Sequence, residues 1–111
     1  MVRSSLPETR TGKTHRLVIY ADGGDIDLYV RTGEYEDGAL GEVFVSIGKQ
    51  GSTLQAMLDG WATLFSLCLQ YGAPPATLIE RFRHTQFPPN DRECSSVFDA
   101  VVAWLETEYA R

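Results

Sequence analysis

Six consecutive residues, Gly48, Lys49, Gln50, Gly51, Ser52 and Thr53, have the composition best suited to chemistry in this chain. They join a run of strand character to the start of a helix. The first helical turn leaves backbone N–H groups without partners and puts the positive end of the helix dipole beside them, so the turn can hold an anion, with Lys49 adding charge. The order of residues is not the GxxxxGK[ST] of a nucleotide-triphosphate loop. Ser52 and Gln55 also have the spacing of a reciprocal cap. A capped strand-to-helix turn with a solvated lysine is therefore the plainer reading, and anion binding is the sharper one.

The remaining reactive side chains do not assemble a catalytic centre. There are two histidines, His15 and His84, too few and too isolated to support a serine or cysteine triad. His84 follows Arg81 and Arg83 near an expected helix end, where cations suit the dipole. Cys68 stands in the apolar run Leu67-Cys68-Leu69 and reads as a buried thiol, whereas Cys94 lies in a polar segment. Neither has a CxxC partner, so a four-ligand zinc site or a redox dithiol is not expected. Glu34, Glu36 and Asp37 lack the spacing of a calcium loop and read as a solvated turn. The expectation is no catalytic residue, no metal and no cofactor.

Charge narrows the partners. Residues 1–16 carry Arg3, Arg10, Lys13 and Arg16 against Glu8, a net of +3, while residues 20–44 carry seven carboxylates against Arg31, a net of −6. The acidic stretch would repel phosphates, which argues against nucleic acid as a partner. The basic arm, residues 1–15, is expected to be a solvated tail ahead of a single domain over residues 16–111. At 111 residues, 43% of them hydrophobic, the chain can bury one core and is too apolar for disorder. It has no run of membrane-spanning length and no signal-like apolar segment near Met1, so the cytoplasm is the expected location.

The elements that must position these residues fall into two halves. Leu17–Tyr20, Ile26–Arg31 and Glu42–Ile47 are β-branched, aromatic or alternating in polarity, and they are separated by the turn signals Asp22-Gly23-Gly24-Asp25 and Glu34–Gly38. Short connections imply an antiparallel three-stranded meander. Three helices follow. The first runs from Ser52 to about Tyr71 and stops at Gly72 and Pro74-Pro75. The second covers Pro75 to about His84, and the third Ser95 to about Ala110 with Phe98, Val101, Val102 and Leu105 on one face. The fold class is α+β.

The first of these helices is unusual. Gln55, Asp59, Thr63, Ser66 and Gln70 form one narrow polar stripe, and almost everything else on it is apolar or small. A three-stranded sheet and two short helices cannot cover so much apolar surface. Self-association is therefore expected, most simply a dimer, with Met57, Trp61, Leu64 and Phe65 as its candidate residues.

Four runs carry a family resemblance: LPETRTGKTHRLVI from Leu6, GEYEDGALGEVFVSIGKQGST from Gly33, LFSLCLQYGAP from Leu64, and LIERFRHTQFPPN from Leu78. In order and spacing these resemble the TSCPD domain near the C-terminal end of adenosylcobalamin-dependent (vitamin B12-dependent, class II) ribonucleotide reductases. The terminal helix, Val97 to Leu105, matches more loosely. The resemblance implies a fold and an association with such reductases. It does not imply their activity, because the catalytic barrel and its radical cysteine cannot fit in this chain. The Thr-Ser-Cys-Pro-Asp signature is absent as well, with Glu93-Cys94-Ser95-Ser96 in roughly its place. The reading is a non-catalytic accessory-like module that binds a protein partner, a reductase for example, or a nucleotide. The alternative is a phage-borne protein that sequesters a phosphorylated signal or inhibits a host protein.

Overall fold

The computed structural model describes residues 2–21, 24–48, 53–83 and 96–109. Strands β1 (Thr14–Ala21), β2 (Gly24–Glu34) and β3 (Leu40–Ile47) are followed by helices α1 (Thr53–Gln70), α2 (Pro75–Phe82) and α3 (Val97–Tyr109). The strands form one antiparallel sheet in the order β1-β2-β3, so the α+β meander-then-helices architecture is as expected. All three strands run further than their apolar cores suggest. β1 starts at Thr14, inside the segment expected as an arm, and β2 continues through Thr32 to Glu34, where a bulge shifts its register with β3. No helix among the described residues is long and apolar enough to cross a membrane.

Alternation along the strands divides the sheet into two faces. Ile19, Leu28, Val30, Val43 and Val45 point inward and join Leu58, Phe65 and Leu69 of α1, Ile79 of α2, and Val101, Val102 and Leu105 of α3 in one core. Val18, Tyr20, Tyr29 and Phe44 lie on the opposite, open face and are exposed. A second, aromatic layer extends the core, with the Trp61 ring 5.0 Å from Phe65, 5.0 Å from Phe98 and 5.4 Å from Phe82, the last edge-on. Gly72 ends α1 with φ 106°, a conformation that a side chain would strain. Ser96 caps α3 by accepting from the Asp99 N–H at 3.0 Å. The buried Asp99 carboxylate takes a 2.6 Å ion pair from Arg83, which ties the end of α2 to the start of α3.

The N-terminal segment is not a loose tail. Arg3 Nε donates to Gln70 Oε1 at 2.6 Å, the Ser4 N–H donates to the Gln70 carbonyl at 2.7 Å, and the Tyr35 hydroxyl donates to the Ser4 carbonyl at 2.7 Å. Arg10 pairs with Glu42 at 2.9 Å, and any side chain at Gly12 would run into the Thr32 carbonyl. Two of the cations expected to be solvated are thus spent on fastening the segment to α1 and β3.

The C-terminal helix closes on β2, the strand whose Thr32 carbonyl Gly12 abuts. The Tyr109 hydroxyl is shared between Thr32 Oγ1, at 2.7 Å, and Glu34 Oε2, while Lys13 lies over the Tyr109 ring and pairs with Glu108 at 2.7 Å. Burial, and then the hydrogen bond to the Glu34 carboxylate, push the Tyr109 phenol up from its usual 10.0 to about 12. The fold therefore binds this proton more tightly than the unfolded chain does. The resulting stabilisation is complete below the unfolded value and is lost as pH climbs through the window from 10.0 to about 12. Urea unfolding at about pH 9 and about pH 11 should show a larger loss of stability in the wild type than in Tyr109→Phe. Equal losses would disprove the assignment.

Candidate functional site

Helix α1 is the element on which the candidate site is built, and its three faces have different tasks. Three members of the polar stripe, Gln55, Ser66 and Gln70, lie against β3, the edge of the sheet, and take up outward backbone groups of that strand, whereas Asp59 and Thr63 are exposed. Gln55 Oε1 accepts from the Ile47 N–H at 2.8 Å and its Nε2 donates to the Val45 carbonyl at 3.1 Å. Ser66 Oγ accepts from the Val43 N–H at 2.9 Å and donates to the Val43 carbonyl at 3.2 Å. Gln70 Nε2 donates to the Gly41 carbonyl at 3.0 Å. The spacing works because eleven helical residues advance about 16 Å and four strand residues about 13 Å, so an antiparallel helix keeps step with alternate strand positions. The helix stands in for a fourth strand and covers the edge.

The second face carries Leu58, Ala62, Phe65 and Leu69 into the core. The third lies opposite the polar stripe. Met57 and Leu64 there are 62% and 65% exposed and Tyr71 is 44% exposed, at heptad spacing, with Gly60 and Cys68 exposed between them. Of the four residues expected at an interface, Met57 and Leu64 are available on this surface. Phe65 is not, because it is 3% exposed and points into the core, and Trp61 is half-buried in the aromatic layer. Cys68 is exposed, contrary to the buried thiol expected from its apolar neighbours, since it lies about a quarter-turn round α1 from the centre of the face that carries Leu58, Ala62, Phe65 and Leu69 inward.

The open face of the sheet meets α1 in a groove of about 350 Å³, lined by Arg3, Glu42, Phe44, Asp59, Thr63 and Gln70 among others. On that face the Arg31 guanidinium lies 4.6 Å over the Phe44 ring. Arg16 and Asp27 form a two-bond pair at 2.8 and 3.0 Å, which holds the Asp27 carboxyl below its usual range. This surface offers stacking and charge, and among the described residues it pairs no nucleophile with a base.

Of the turn expected to hold an anion, Gly48 donates its N–H to the Asp27 carbonyl at 3.3 Å and Thr53 is the exposed first residue of α1. Lys49, Gln50, Gly51 and Ser52 lie outside the described residues, as do His84 and Cys94.

The chain belongs to the TSCPD domain family, whose model matches residues 3–109. It is 36% identical over 110 residues to a vitamin B12-dependent ribonucleotide reductase of Rhodopirellula baltica, covering 93% of this chain and 10% of that protein. It is likewise 36% identical over 115 residues to the enzyme so named in Bradyrhizobium diazoefficiens, covering 96% of this chain and 9% of that one. With the Streptomyces coelicolor counterpart it shares 39% identity over 88 residues, 79% of this chain and 9% of the relative. The chain thus spans about a tenth of the length of the relatives it matches. No solved structure matches it significantly.

Proposed function

We propose that this TSCPD domain is a non-catalytic docking module that acts in the cytoplasm on the catalytic remainder of a vitamin B12-dependent ribonucleotide reductase. One observation carries the reading, the exposed heptad stripe of Met57, Leu64 and Tyr71 on the far side of α1. Large apolar side chains repeated on one helix face, away from both core and sheet, are the pattern by which a helix packs on a protein surface. The relatives supply a partner of the right kind, since in them the matching region is a small part of a much larger chain.

The test uses this chain and the Rhodopirellula reductase with its own matching region removed, the latter checked for retained secondary structure and cobalamin binding. Saturable binding by calorimetry is expected. Leu64→Lys should weaken it at least roughly tenfold, because it places a charge in the centre of the contact. Leu64 is exposed, so that variant should keep the wild-type circular dichroism. No binding, or equal binding by Leu64→Lys, would overturn the docking role.

A further inference from the structure

The two edges of the sheet are treated differently. On β3, Gln55, Ser66 and Gln70 bond the outward N–H groups of Val43 and Ile47 and the outward carbonyls of Gly41, Val43 and Val45. On β1, the Thr32 N–H donates to the Lys13 carbonyl, which fixes odd-numbered residues as those bonded to β2. Thr14, Arg16 and Val18 therefore aim their N–H and C=O groups away from the sheet, and no strand or side chain among the described residues meets those of Arg16 and Val18.

β1 carries few of the devices that blunt an edge, its one fully charged side chain, Arg16, being held by Asp27 of β2. Its sequence, THRLVIYA, has no proline, lysine or glutamate, and its register with β2 is unbroken from Thr14↔Arg31 to Ala21↔Gly24. Val18, at its middle, is 53% exposed. α3 approaches β1 on the inner face, where Trp104 stacks on His15 at 5.1 Å, and leaves the outer face open.

We propose that β1 pairs antiparallel with β1 of a second copy about a two-fold axis at Val18, joining two meanders into one six-stranded sheet. In this register the outward groups of Val18 meet those of Val18 in the second copy, so each backbone donor faces an acceptor. Charge permits this register, because Arg16, already paired with Asp27 of its own β2, stands opposite the uncharged Tyr20 of the second copy, beyond which lies Asp25 on β2. A register centred on Arg16 would instead oppose two cations. This interface is separate from the α1 stripe, and both can be occupied at once.

Sedimentation of the full chain at about 100 µM should give a mass approaching twice 12.4 kDa, falling toward that value on dilution. Val18→Lys keeps an exposed position exposed and opposes two ammonium groups on the axis, and it should raise the dissociation constant at least roughly tenfold. Val18→Pro deletes the outward N–H without touching the ladder to β2 and should do the same. In the wild type the amides of Arg16 and Val18 should exchange slowly with solvent, and in Val18→Lys quickly. Leu64→Lys should remain a dimer, which separates this interface from the docking face. A wild type that stays at 12.4 kDa would overturn the proposal, as would a Val18→Lys protein that dimerises unchanged.

Discussion

Truncating Leu58 to alanine should destabilise the protein by about 2–5 kcal/mol, whereas the same change at its neighbour Met57 should stay within about 0.5 kcal/mol. Both side chains are large and apolar, so composition does not tell them apart. Leu58 is completely buried in the common core, while Met57 is 62% exposed on the far side of α1. Removing Leu58 loses its transfer free energy and leaves a cavity that rigid neighbours only partly fill. Domains of this size are stable by only about 5–15 kcal/mol, so Leu58→Ala should be visibly depleted of folded protein at 37 °C. Urea unfolding of the two variants side by side measures the difference. Comparable losses would mean that α1 is rotated about its axis from the orientation described.

Ser66→Ala should cost about 2–4 kcal/mol, far more than the loss of one hydroxyl usually does. Ser66 Oγ both accepts from and donates to Val43, and the pair is buried. Alanine leaves a strand N–H and a strand carbonyl without partners, at about 1–3 kcal/mol each. A fall in melting temperature of roughly 10 °C or more follows for a domain of about 100 residues. Thr63, also on α1, bonds only to the Asp59 carbonyl of its own helix at 2.8 Å and is exposed. Thr63→Ala should therefore change stability by less than about 0.5 kcal/mol. Indistinguishable melting of the Ser66 variant and wild type would mean that solvent, not α1, satisfies the edge of β3.

These residues also mark how far the sequence could be read. The strands, the helices and the left-handed stop at Gly72 are local matters of alternation, periodicity and glycine chemistry, and they were legible. The polar stripe Gln55–Gln70 was legible as a stripe. What it faces was not, because periodicity fixes which residues share a side of a helix and leaves open what lies across from them. The neighbours of Cys68 in sequence suggest the core, although its place on α1, about a quarter-turn beyond the centre of the buried face, leaves it exposed. Arg3 and Arg10 were read as solvated charges because their partners, Gln70 and Glu42, are distant in sequence. Phe65 was assigned to a surface for a similar reason: an apolar helix face does not announce which of its residues the fold will cover.

The closure of the two chain ends on β2 has a consequence for how the molecule assembles. β1 with β2, β2 with β3, and β3 with α1 are each neighbours along the chain. That part of the fold has low contact order, and its loops close at small entropic cost, so it should collect early in a folding reaction. The Lys13–Glu108 and Thr32–Tyr109 contacts bridge 95 and 77 positions. They can form only after α3 has returned to β1 and β2, so the clasp is expected to close late, on the native side of the folding barrier. Substitutions at Lys13 or Tyr109 should therefore accelerate unfolding and leave the refolding rate almost unchanged.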